Sequence, residues 1–210
     1  MPHTAPTPAK RGRPAAGERA IRRTRILDAA VTRFAADGFD GTSIEDIAAT
    51  AGVTKRTVYV YVGDKAAIFS AAVEREHDRI RAVASDSATL PEVAAALVFV
   101  LLSDPAIVLH RLVIAEAPRF PQLARDFYTA GPQHSIDLLA RLLPEADPAY
   151  AAHPQPDVHP DAADMGRGQA LYTLLLGESH RRRLLALDRA PTRAQARARA
   201  NWALRTLTMD

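Results

Sequence analysis

The 210-residue chain carries 27 Lys and Arg against 24 Asp and Glu, a formal net charge of +3, with 48% hydrophobic and 24% charged residues. That is the balance of an ordinary folded protein of one domain or two small ones. There is no cysteine, which excludes disulfides, thiolate metal sites and a cysteine nucleophile. The longest uninterrupted apolar run, residues 93–102, is too short to cross a bilayer, and the N-terminal stretch lacks the apolar segment of a secretory signal. A soluble, cytoplasmic protein without a membrane partner is expected.

The charge is unevenly placed. Residues 1–60 hold 10 basic and 6 acidic side chains, whereas residues 61–210 hold 17 and 18. A basic N-terminal part on a near-neutral body fits a nucleic-acid-binding module joined to something else, and equally a solvated tail.

With 42 alanines in the chain, helix is the favoured local state. Residues 1–15, with four prolines and no hydrophobic periodicity, predict a disordered basic arm. Beyond them Ile26, Leu27, Ala30, Val31 and Phe34 share one helical face, and Gly38 offers a stop. Two short helices follow, then a long one from Lys65 to about residue 84. Pro91 and Asp104-Pro105 open helices that reach Leu102 and Ala117. Pro121 opens another to about Leu143, with a kink at Gly131-Pro132. Five prolines between Pro144 and Pro160 demand an irregular connection. Helices from Asp161 to about Leu187 and from Thr192 to about Thr208 complete nine. No segment shows strand alternation. The expected fold is all-α, with an arm over 1–15, a helix-turn-helix unit over 16–64 and a helical body over 65–210.

The most informative stretch runs from Gly38 to Phe69. Thr42-Ser43-Ile44-Glu45 has the spacing of a capping box, with Thr42 as the cap and Glu45 reaching back. Ala51-Gly52-Val53 makes a tight turn, and Thr54 caps a second short helix. That helix presents Thr54, Lys55, Arg56, Thr57, Tyr59 and Tyr61, all hydrogen-bond donors. Buried, they would leave many polar groups unpaired; exposed, they suit phosphates and base edges in a major groove.

In order, spacing and residue type, residues 18–70 resemble the DNA-binding domain of TetR-family transcriptional regulators. The matching runs are Phe34-Ala35-Ala36-Asp37-Gly38-Phe39, Thr42 to Ala48, Ala51-Gly52-Val53-Thr54-Lys55, Thr57-Val58-Tyr59, and Lys65 with Phe69. The resemblance implies that Thr42 touches phosphate, that Thr54, Lys55, Arg56, Thr57, Tyr59 and Tyr61 lie on the recognition helix, and that Lys65 meets the DNA backbone. Val62 and Asp64 depart from the usual pattern. In the arm, Arg11-Gly12-Arg13-Pro14 resembles an AT-hook; Arg11 and Arg13 either enter an A·T-rich minor groove or act as a diffuse electrostatic tether.

The run Arg111 to Ala117, with Arg119-Phe120-Pro121 and Phe127-Tyr128, resembles the C-terminal domain of efflux-associated TetR-type repressors. This implies a homodimer on an inverted-repeat operator, released by a small-molecule effector. Candidate effector contacts are Phe99, His110, Ile114, Phe120, Phe127, Tyr128, Tyr172 and Leu175, each also ordinary core content. Ala196, Ala200, Trp202, Ala203, Leu204 and Leu207 are candidates for the dimer interface, or for a stripe buried within one chain. No catalytic constellation, cofactor or metal is expected. Glu74-x-x-His77 is half of a di-iron motif without its second half. His153, Asp157, His159 and Asp161 gather in the proline-rich connection, where such residues seldom ligate. The rival reading is a helical binding protein or enzyme with a structural helix-turn-helix.

Overall fold

The computed structural model describes residues 16–82, 89–145 and 162–207; Arg11, Arg13 and the His153–Asp161 group lie outside the described residues. Every regular element among the described residues is helical. α1 (Ala16–Gly41) breaks at Gly38, whose φ of 73° interrupts the helix where the sequence placed a stop. The break turns Phe39 back onto Phe34 and Phe69, with ring centroids 5.6 and 5.5 Å away, around which the first core forms. α2 (Ile44–Ala51) and α3 (Lys55–Tyr61) follow. Gly52, at φ 63°, closes α2 by donating its N–H to the carbonyls of Ala48 and Ala49, a left-handed cap that glycine adopts without Cβ strain.

The cap of α2 differs from the expected one. Ser43, not Thr42, is the N-cap: its Oγ accepts from the Asp46 N–H at 3.1 Å, and the Asp46 carboxylate accepts from the Ser43 N–H at 3.1 Å. The reciprocal pair is therefore shifted by one residue. Thr42 is buried and its hydroxyl donates to the Gly38 carbonyl at 2.7 Å, serving the end of α1 instead. Glu45 is left facing outward.

α4 (Lys65–Arg81) is capped by Asp64, whose carboxylate accepts from the Ala67 N–H at 2.8 Å. α5 (Leu90–Leu101) and α6 (Asp104–Glu116) pack beside it. α7 (Pro121–Tyr128) and α8 (His134–Glu145) are joined by a π-helical turn, Thr129–Gln133. Pro132 has no N–H to give the ladder, which widens there, and the buried Ser135 hydroxyl donates to the Gly131 carbonyl at 2.9 Å. The helix expected from Pro121 is an unbroken helical run to Glu145, and its irregularity falls at the expected Gly131-Pro132 step.

α9 (Ala162–Leu184) lies against α8, close enough that a Cβ on Gly168 would come within 2.9 Å of both the Ala140 side chain and the Ile136 carbonyl. α9 also breaks at Gly177 (φ 31°, ψ −124°), which the periodicity did not announce. The guanidinium of Arg199 on α10 (Arg193–Leu207) bonds the carbonyls of Leu174 and Leu175 beside that break, at 2.8 and 3.2 Å.

Ala196, Ala200 and Ala203 face α5 and are fully buried, with Leu204 and Leu207 packed on the same core. The expected dimer stripe is therefore turned inward: its small side chains let α10 approach α5 of the same chain. Trp202 projects outward and lies against Arg199.

Apolar packing falls into two clusters. The first joins α1–α4 with Leu109, Leu112 and Val113 of α6; the second joins Ile80 of α4 with α5, α8, α9 and α10. No single helix among the described residues is long and apolar enough to cross a membrane. α5 and α6 reach that length only together, bent by 65°.

Candidate functional site

α3 is anchored by one residue and open on the rest. Val58 is fully buried, while Thr54, Lys55, Arg56, Tyr59 and Val60 are exposed and Thr57 and Tyr61 half-buried. Thr54 starts the helix by accepting from the Thr57 N–H at 3.2 Å, and the two hydroxyls lie 2.9 Å apart. Lys55 forms an ion pair with Glu45, which ties α3 to α2 and raises the Lys55 pKa. Arg56 makes no ion pair among the described residues. Tyr61 stacks under Arg19, 5.9 Å from ring to guanidinium. Val60, 62% exposed, was not singled out in the sequence because an apolar residue on a short helix reads as core. Its exposure beside Arg56 and Tyr59 is what marks it.

Two expected phosphate contacts are engaged within the protein. The Lys65 ammonium donates to the carbonyls of Phe39, Asp40 and Thr42 at 2.7, 3.3 and 3.0 Å and sits over the Phe39 ring. It is a cap on the chain turn after α1. Thr42 is buried as described. Both residues set the position of α2 and α3.

An open cavity lies between α6, α7 and α9, with a volume of about 510 Å³ and with Ile114 and Tyr128 exposed on its walls. Of the eight sequence candidates, His110, Ile114, Phe127, Tyr128 and Tyr172 line it together. Leu175 is buried in the second core, Phe120 packs on Phe39, and Phe99 lies under Arg193 in a surface groove between α5 and α10, so these three are elsewhere. His180 and Leu176 of α9 also line it; His180 sat among arginines in the sequence, with nothing to link it to a residue 70 positions earlier.

The cavity's polar centre is a pair of imidazoles. His110 Nδ1 and His180 Nε2 are 2.7 Å apart, with the rings edge to face. Burial pushes the His110 pKa down to about 3 and lowers that of His180. Tyr172 is held protonated, since burial raises its pKa. Phe127 packs edge-on against His110 at 5.0 Å, and its ring also touches His77 of α4 at 5.4 Å. His77 is 3% exposed and neither ring nitrogen has a hydrogen-bond partner. Among the described residues, no group of three or more His, Asp or Glu could hold a metal ion.

Comparison with known proteins adds to this geometry. Residues 26–72 match the family model of bacterial regulatory proteins of the tetR family, and residues 88–209 match that of the AefR-like transcriptional repressor C-terminal domain. The chain belongs to the TetR family of transcriptional regulators. The HTH-type transcriptional repressor SCO4008 of Streptomyces coelicolor is 39% identical over 54 residues, an alignment spanning 26% of this chain and 28% of that protein. A TetR-family regulator from Mesorhizobium loti shares the fold with a TM-score of 0.66 at 24% identity, over 90% of this chain and 96% of that one. The flavonoid-responsive regulator FrrA has a TM-score of 0.61 at 26% identity, over 90% and 95%. As a TetR-family protein the chain is a DNA-binding regulator. α2 and α3 lie within the first matched segment, and the helices from α5 onward within the second.

Proposed function

We propose that this TetR-family protein is a cytoplasmic repressor that binds an inverted-repeat operator as a two-fold dimer and leaves it when a small, largely apolar effector fills the cavity between α6, α7 and α9. The observation that carries the reading is the exposed face of α3: a helix anchored by Val58 presents Thr54, Arg56, Tyr59 and Val60 to solvent among the described residues. Arg56 suits guanine N7 and O6, Val60 suits a thymine methyl, and the hydroxyls suit phosphate. Thr57 and Tyr61 flank that face, and Lys55 joins it on leaving Glu45. Arg11 and Arg13 extend the contact along the DNA. Two copies of α3 about 34 Å apart would enter successive major grooves. The outward faces of α9 and α10, carrying Trp202, are the dimer surface in this reading.

α4 supplies the link to the effector. Its first half packs in the DNA-proximal core, and its His77 touches the Phe127 ring that walls the cavity. A ligand displacing Phe127 therefore bears on α4 directly. The fold shared with a flavonoid-responsive regulator supports an aromatic effector.

The test is binding to operator DNA by fluorescence anisotropy. Arg56→Ala should weaken binding by about 1–3 kcal/mol and relax specificity at one base pair, with the helical circular dichroism unchanged. Wild-type affinity and specificity in that variant would place recognition elsewhere.

A further inference from the structure

The apolar walls of the cavity say little about which effectors it accepts; the histidine pair says more. Resting on the cavity reading above, we propose that the site selects uncharged effectors that carry a hydroxyl or carbonyl group, and rejects carboxylates and ammonium ions, because the His110–His180 pair offers one donor and one acceptor in either tautomer and no net charge.

The geometry dictates this. A separation of 2.7 Å between His110 Nδ1 and His180 Nε2 requires one proton between the two nitrogens, because two N–H groups cannot face each other. If His110 Nδ1 donates, its Nε2 is left as an acceptor and His180 Nδ1 carries a proton. If His180 Nε2 donates, the outer ends exchange roles: His110 Nε2 carries the proton and His180 Nδ1 accepts. Both rings line the cavity, so a ligand hydroxyl or carbonyl is met by swapping tautomers, without moving a side chain and without creating charge.

Ions are treated differently. No Asp or Glu lines the cavity among the described residues, so an ammonium has no counter-charge there. The one lining group that is always ionised, Arg181, is on the exposed rim and paired with Glu178 at 3.0 Å. A carboxylate placed deeper would need one imidazole protonated. Burial opposes that at His110 and His180 alike, and the protonated pair would keep its bridging hydrogen bond but give up its outward acceptor. The Tyr172 hydroxyl adds a second neutral group on the same wall. A volume of about 510 Å³ accommodates a ligand of two or three fused rings.

The probes are 2-naphthol, 2-naphthoate, 2-naphthylmethylammonium and naphthalene, which share one ring system and differ in the polar group. Each is titrated into the full-length protein at pH 7 by calorimetry and followed by ¹⁵N-histidine NMR, which reads the tautomer of each ring. The naphthol should bind at least about tenfold tighter than either ion, an effect of the size expected when a polar group is left unpaired on binding. It should also shift the His110 and His180 nitrogens without protonating them. In His110→Gln its advantage over naphthalene should shrink while naphthalene binding persists. Naphthoate or the ammonium binding as tightly as naphthol, with the same histidine signals moving, would overturn the charge selection and leave the cavity reading standing. If no probe moves those signals, the cavity reading itself fails.

Discussion

Acidification should weaken the fold through His110. The ring is 8% exposed and held among Phe127, His180 and neighbouring apolar side chains. Burial, with smaller contributions from His180 and His77, lowers its pKa from 6.5 to about 3. A base with a depressed folded-state pKa is neutral in the folded protein and takes up a proton on unfolding. Its contribution is therefore full above the unfolded value of 6.5 and is lost as pH falls toward 3. At pH 5 the unfolded state binds nearly one more proton at this site across 1.5 pH units, about 2 kcal/mol of lost stability. His77, His134 and His180 are shifted in the same direction and steepen the loss. Asp46 and Glu92, whose pKa values are lowered by hydrogen bonds, add to it at more acid pH. Guanidinium titrations at pH 7 and pH 5 and constant ionic strength, on the wild type and on His110→Gln, isolate the one residue. The wild type should lose about 2 kcal/mol more than the variant between the two pH values. Equal losses in the two proteins would refute the assignment of a buried neutral His110.

Four further substitutions test the packing and capping. Gly168→Ala should destabilise the fold by about 1–3 kcal/mol in thermal melts, because its Cβ would meet the α8 backbone at the Ile136 carbonyl, which cannot swing aside as a side-chain end would. Ser43→Ala should cost about 1 kcal/mol, whereas Glu45→Ala should change stability by only a few tenths; the reverse order would restore the cap to Thr42. Arg183→Met should cost about 1–3 kcal/mol, since its buried guanidinium donates to the Leu102 and Asp188 carbonyls at 3.0 and 2.7 Å and pairs with Asp104. Wild-type stability in that variant would mean water replaces all three bonds.

The elements whose signals are local were legible in the sequence. Helical periodicity, Pro at helix starts and Gly38 and Gly52 gave the element order, and the donor-rich face of α3 followed from its residue types. The misplaced cap shows the limit: Thr42 and Ser43 are chemically alike, and only the bend at Gly38, which draws the Thr42 hydroxyl away, decides between them. The alanine stripe of α10 was visible as a stripe, but its spacing is the same whether it meets another copy or α5. The His110–His180 bond could not be read at all, because it joins α6 to α9 across 70 residues. The break at Gly177 is of the same kind: its freed carbonyls are met by Arg199, 24 and 25 residues on.

Leu109, Leu112 and Val113 of α6 complete the hydrophobic cluster that α1, α2, α3 and α4 build. A fragment ending after α3 would expose the faces of Phe34, Phe39 and Ile26 that α4 and α6 now cover, and at about 50 residues it would bury too little surface to remain folded alone. Melting should therefore be a single cooperative event, with headpiece and body losing structure at one temperature instead of in two steps. A chimera grafting another protein's helix-turn-helix onto this body would keep its stability only if the inward faces of α4 and α6 were transplanted with it.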